Sequence, residues 1–438
     1  MDKKRDTFSS RLGFILATIG FSVGVGTLWR FPYICGEYGG GLFLLTYIVL
    51  MFVVGIPLFS AEVSLGLASR KSPVGAYRVL EKPGAKWHIA GYFHMICIVL
   101  VIGYTIPVYG WILHYIYATA KGTFLGMDSG QVAQYFADFS ANHVLVFGFI
   151  MVNAALTALV VKNNLQQGIE KIAKVLLPSL AVIMGVLVIA GLRLPGAAEG
   201  VKFIFTLDFD SFSLAGVLTA LGQTFFSLGI AMAVAMIFGS YQKEGEINVV
   251  KNSVIISVSV IFVAVMASLM IFPMASAFDL EMASGPGLTF ITMPNVFNEM
   301  AGGRIWGTIF YIGFFIAAFS SGIAGWEAVM AFIMDQFQVS RLKALCVTFV
   351  LVMLIGVPAL FSDYMFNLFD MLTNNVFLIL GSLALSIFTG WIWGMDNMAR
   401  TCGFSKDTWI YHFLSVMIKY ISPIIVVILC LTLFGVIK

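Results

Sequence analysis

Ala317, Ser320 and Ser321 fall at i, i+3 and i+4, so a helix would carry them on one face. A hard cation takes several oxygen ligands. Two hydroxyls and a carbonyl on one face can supply part of such a shell if unwound backbone supplies the rest. The alternative is that Ser320 and Ser321 back-bond to their own helix. Charges set within apolar runs are the second chemical signal, since they are costly in a membrane and usually functional. Glu62 and Arg30 are placed in this way. Other chemistries lack their residues. His88, His94, His114, His143 and His412 show no metal spacing, and Cys35, Cys97, Cys346, Cys402 and Cys430 form no pairs or redox motif. Nucleophile-elbow, phosphate-loop and HExxH patterns are missing too. No catalytic residue is assigned, and the chain does not read as an enzyme.

The elements that must position these residues are membrane helices. Of 438 residues, 60% are hydrophobic and 11% charged, against about 45–50% and 25% in soluble domains. Mean hydropathy is +0.97. This excludes a soluble enzyme, a disordered chain and a secreted disulfide scaffold. Apolar runs of about 20 residues span a bilayer. Eleven are expected, near 11–35, 41–69, 88–121, 142–161, 168–192, 214–240, 250–277, 304–336, 342–361, 367–393 and 410–436. A shorter amphipathic piece covers 289–300. The opening MDKKRDTFSSRLGF runs straight into the first span, which reads as retained. With the N-terminus in the cytoplasm, 18 of the 25 lysines and arginines face that side and five the other, with Arg30 and Lys419 inside spans. The positive-inside rule therefore sets the N-terminus in and, after eleven spans, the C-terminus out. Basic residues are scattered, so no nucleic acid partner is expected. No linker divides the chain, which reads as one transmembrane domain over 1–438.

A short repeat gives this array an internal order. Phe21-Ser22-Val23-Gly24-Val25-Gly26 in span 1 is echoed by Phe226-Ser227-Leu228-Gly229-Ile230-Ala231 in span 6. Five spans separate the two, so the halves run in opposite directions. Repeat one covers about 11–192, repeat two about 214–393, and the helix at about 410–436 is extra. Glycine within a helix costs about 1 kcal/mol relative to alanine. Gly20, Gly24 and Gly26, with Pro32 beyond, predict a break in span 1. Matching breaks in inverted halves mark a transporter's midplane binding site. The plainer reading is that small residues only let helices pack closely.

These residues carry a resemblance. GVGTLWRFPY, then GGG, then GIPL and a membrane glutamate resemble the first two spans of the neurotransmitter:sodium symporter family. GIEKIAKVLLP resembles its span 5, GQTFFSLG its broken span 6, and FFIAAFSSGIAGWE its span 8. The likeness covers nearly the whole chain and implies an all-α membrane protein of the bacterial eleven-helix type, in the inner cell membrane, with an inverted 5+5 repeat. The implied function is sodium-coupled import of a neutral, hydrophobic or aromatic amino acid by alternating access. The alternatives are a sodium-independent or proton-coupled transporter of this fold carrying another small carboxylate or amine, and a receptor that binds without transport. Oligomeric state is left open.

The resemblance also implies a site, residue by residue. One sodium ion would meet carbonyls of Gly20, Val23 and Ala317 and hydroxyls of Ser320 and Ser321. A second would use Ser22, Thr27, Ser227 and Ser259. The oxygens at Thr27 and Ser259 are shorter than the family's usual asparagine or aspartate, so one ion or two stays open. Chloride coupling also stays open, because Tyr47, Gln223 and Ser227 match but the partnering position is Val263. The substrate carboxylate would meet amides at Gly24 and Gly26, where a half-helix begins. Its ammonium would meet carbonyls near Phe21, Ser22 and Phe226. Its side chain would meet Val101, Phe226, Gly229, Met232, Ser321 and Gly325. The family's span 3 tyrosine falls at Thr105 here, with Tyr104 adjacent and Pro107 able to shift the register. Arg30 and Asp370, with Phe226 as a lid, match an outer gate. Arg5 and Asp335, with Tyr241 and Glu327 nearby, match an inner one. Phe8 replaces a tryptophan. Glu62 is expected to accept amides freed by the break in span 6, and Gly168 with Pro178 to let span 5 unwind.

Overall fold

The computed structural model describes residues 6–24, 26–243, 248–278 and 286–433. Arg5 lies outside them. All eleven expected spans are helical. Span 1 is a pair, Arg11–Ser22 and Gly26–Glu37, bent by 54°. Spans 2 to 5 are Gly41–Ser69, His88–Lys121, His143–Val161 and Gln166–Leu192. Span 6 is again a pair, Leu214–Leu228 and Val234–Ser240. Spans 7 to 11 are Val249–Ala277, Gly303–Phe337, Arg341–Phe361, Asp363–Cys402 and Trp409–Thr432. Short helices join them at Pro73–Leu80, Ser129–Ala141, Ala197–Phe205 and Met293–Glu299. No strand occurs among the described residues. The two expected breaks are present, which makes this an eleven-helix, inverted-repeat membrane fold.

Local chemistry sets the helix ends. Ser10 caps span 1 by accepting the Gly13 amide at 3.1 Å, and Ser213 caps span 6 by accepting that of Gly216 at 3.0 Å. Span 3 is interrupted at Thr105, between helices ending at Tyr104 and starting at Ile106, with Pro107 in the first turn. The second half of span 6 packs hardest against span 2. A Cβ on Gly66 would sit 1.8 Å from the Met236 carbonyl oxygen, and one on Gly239 would sit 2.3 Å from that of Val63. Only glycine allows these backbones to touch. Val182, Phe262 and Leu354, on spans 5, 7 and 9, are exposed apolar residues, as lipid-facing side chains must be. The polar groups are gathered where spans 1, 3, 6 and 8 meet.

Candidate functional site

A cavity of about 300 Å³ lies against the break in span 1. Phe21, Ser22, Gly24 and Gly26 form one wall, Val101, Tyr104 and Thr105 of span 3 another, and Phe226, Met232 and Ser321 the rest. These ten residues are among those expected, and one cavity brings them together. Protein atoms fill the space beside these glycines. A Cβ on Gly24 would sit 2.8 Å from Ser321 Oγ, and one on Gly26 would sit 2.2 Å from the Phe226 ring. Gly229 and Gly325 do not line the cavity. Gly229 admits the Phe21 ring, 2.0 Å from where its Cβ would be, and Gly325 admits Ile102 at 2.4 Å. Ser227 sits behind the wall, accepting a hydrogen bond from Gln223 Nε2 at 2.9 Å.

The oxygens around the first break converge. Ser320 donates its hydroxyl toward the Gly20 carbonyl at 2.9 Å and the Ala317 carbonyl at 3.0 Å. The hydroxyl therefore bridges both helices. Val23 ends the first half of span 1 beside them, with a non-helical ψ of 66°. Thr27 donates to the Ser22 carbonyl at 3.0 Å, and the buried Ser22 hydroxyl has no partner. Ser259 is not drawn in: its hydroxyl donates to Ile255 of its own helix at 2.8 Å. Gln223 also donates to the Gly26 carbonyl at 3.0 Å, and Tyr47 is buried. Val263 is half-buried on span 7.

The break in span 6 is strained and is held by one carboxylate. Gly229, Ala231 and Ala233 have φ of 64°, 61° and 65°. The two alanines each cost about 1–2 kcal/mol in that left-handed region. Glu62 offsets this, as expected, by accepting the Ala231 amide at 3.0 Å.

The two gates differ. Arg30 donates to Gln223 Oε1 at 3.2 Å and lies 5.5 Å from the Phe226 ring centre. Asp370 instead accepts the Tyr104 hydroxyl at 2.8 Å. The expected Arg30–Asp370 pair is thus not made, and both residues line the mouth of the cavity. On the opposite side the described residues pack together. Phe8 is buried edge-on against Phe14 and Phe238, and its amide donates to the Tyr241 carbonyl at 3.0 Å. Tyr241 donates to Glu327 at 2.9 Å, and Asp335 accepts the Ser72 amide at 2.7 Å. The Arg5 half of the inner gate is outside the described residues.

Several residues were missed. Trp29, Tyr33, Val108, Tyr109, Phe366 and Asn367 also line the cavity. Tyr109 continues the 101–105 stripe by one helical turn, a spacing that identifies it. Arg341 pairs with Glu327. Glu170, at the start of span 5, accepts the Ser9 amide at 2.8 Å, the Ser9 hydroxyl and Lys174. Lys174 stands at i+4 from Glu170, a spacing the sequence shows, but nothing in the sequence marks Ser9, 161 positions away.

Two interrupted helices of opposite direction, meeting at a central cavity with converging oxygens, define an ion-coupled secondary transporter. The Sodium:neurotransmitter symporter family profile matches residues 5–128 and 139–438. An uncharacterized sodium-dependent transporter, YhdH of Bacillus subtilis, is 30% identical, covering 100% of this chain and 99% of its own. A sodium- and chloride-dependent creatine transporter of Oryctolagus cuniculus is 24% identical over 92% of this chain and 74% of its own. Among solved structures, MhsT in complex with L-phenylalanine superposes with a TM-score of 0.90 at 31% identity, covering 98% of this chain and 100% of that one. The chain belongs to the sodium:neurotransmitter symporter family. It is a multi-pass, sodium-dependent membrane transporter and not an enzyme.

Proposed function

We propose that the cargo is a neutral amino acid with a hydrophobic or aromatic side chain, carried inward with sodium. The observation that carries this is the character of the cavity floor. Below Arg30 and Asp370 its lining side chains are uncharged, and Phe21, Val101, Val108, Phe226 and Met232 make it apolar. A carboxylate would sit at the start of the helix Gly26–Arg30, where amide dipoles favour an anion. A volume of about 300 Å³ is at the small end of ligand pockets. The L-phenylalanine bound by MhsT supports the same class.

The ion would be held by carbonyls of Gly20, Val23 and Ala317 with the hydroxyls of Ser320 and Ser321. It would tie span 8 to span 1 and favour the outward-open state. Substrate would then draw Phe226, Arg30 and Asp370 together, and release of sodium would let span 5 unwind from Gly168 to Pro178. This is population shift by differential binding. The reading sets the protein in the inner cell membrane with the N-terminus in the cytoplasm. The test is a thermal-shift screen of the twenty amino acids on purified protein, in sodium and in potassium. Stabilisation by a hydrophobic or aromatic amino acid in sodium alone is expected. Stabilisation by sodium with no amino-acid response would discard this cargo.

A further inference from the structure

Glu62 of span 2 and His94 of span 3 have side chains with no exposed area. His94 Nδ1 lies 3.3 Å from Glu62 Oε1, while Glu62 Oε2 holds the Ala231 amide in the break of span 6. His94 Nε2 lies 3.2 Å from the hydroxyl of Tyr77, on the helix Pro73–Leu80. Tyr77 is itself buried and lies edge-on to Phe388. One chain of hydrogen-bonding groups therefore runs from the break of span 6 to the connection between spans 2 and 3.

Among the described residues the nearby basic side chains are turned elsewhere: Arg70, at the end of span 2, donates to the Ser240 and Gln242 carbonyls, and Arg78 is exposed. The helix Pro73–Leu80 presents Tyr77, and span 3 itself carries the buried Cys97. Span 10 approaches through Gly381, 3.8 Å from the His94 ring when given a Cβ, and its helix Leu378–Ile387 has no titratable side chain. The second half of span 6 has none either. The charges of spans 8 and 9 are engaged elsewhere, Glu327 with Arg341 and Asp335 with Ser72. Asp370 of span 10 takes Tyr104, and Asp396 takes Lys406. Lys419 lies over Trp391, and Lys251 of span 7 and Arg400 are exposed. No lysine or arginine among the described residues forms an ion pair with Glu62.

Without an added proton the pair carries one negative charge: Nδ1–H donates to Glu62 and Nε2 accepts from Tyr77. A proton added at Nε2 leaves an imidazolium beside a carboxylate, and a proton passed on to Glu62 leaves two neutral groups. Either way the net charge is zero, which burial favours. The Ala231 amide stays satisfied in both states. We propose that Glu62 and His94 form a proton-binding site of this transporter, exchanging through Tyr77, and that sodium binding expels the proton. The reason is linkage: Ala231 adjoins Met232, which lines the same cavity as Ser321 of the ion site, so the proton pair and the ion site border one cavity and act on one movable break.

The test is proton release from the full-length protein in weakly buffered detergent solution with a pH indicator dye, on replacing potassium with sodium. Close to one proton per protein is expected. His94→Gln keeps a hydrogen-bonding group in place and should release none, while sodium still raises its thermal stability. Glu62→Gln should also release none, and His94→Gln carries the test should that variant not fold. No release from the wild-type protein, or equal release from folded His94→Gln, would overturn the proposal. The identity of the amino acid does not enter the experiment.

Discussion

The Ser320 hydroxyl reaches a carbonyl on its own helix and one 300 positions away. A group that already bridges two helices loses little freedom when an ion takes the place of its hydrogen bonds. Replacing Ser320 and Ser321 together by alanine is therefore expected to abolish sodium-dependent uptake while expression persists, and undiminished uptake would refute the ion site. Gly325→Ala tests a different idea. Its Cβ would press on Ile102, and overpacking costs about 1–3 kcal/mol. The melting temperature should fall with the order of amino-acid preference unchanged. A change in preference without a loss of stability would return Gly325 to the pocket. At this scale the hydroxyls were legible, because i, i+3 and i+4 spacing fixes a face. The glycines were not: a missing side chain says nothing about whose atoms take its place. The Ser259 hydroxyl bonds to Ile255 of its own helix, and chain position does not reveal where a hydroxyl points.

Among the elements, span 5 is joined to the segment before span 1 through Glu170. That carboxylate is 1% exposed and gathers Ser9 and Lys174, and Gly13 leaves the room it occupies. Because Gly168 and Pro178 flank the same stretch, release of the N-terminal segment and unwinding of span 5 should be one event. Glu170→Gln weakens charge-assisted bonds worth about 1–3 kcal/mol. Hydrogen–deuterium exchange is expected to rise together in 6–13 and 165–178. A rise in only one of them would separate the two elements. The eleven spans were readable from hydropathy and the breaks from glycine and proline. The contact between residues 9 and 170 was not, because it depends on how helices settle against each other.

At the scale of the whole molecule, the two sides differ among the described residues. The mouth is lined by Asn367, Arg30 and Asp370, while Phe8 seals the far side. Sodium and cargo together should close the mouth. With the exposed Cys346 replaced by serine, Asn367→Cys is expected to react with a water-soluble thiol reagent severalfold more slowly when both are bound. Unchanged reactivity would mean that the mouth does not close there. The overall plan was legible because the motif of span 1 recurs in span 6. The state in which the gates stand was not, since Arg30 and Asp370 have the same sequence whether joined or apart.

The interlocked glycines bear on how such a pocket changes over generations. Gly24 faces Ser321 and Gly26 faces Phe226, each pair within the reach of one methyl group. Enlarging one member without trimming the other jams the cavity, so a lineage drifting toward a new cargo must alter two codons and pass through a crippled intermediate. How tightly these wall residues interlock would thereby help to decide which cargoes descendants of this protein can acquire.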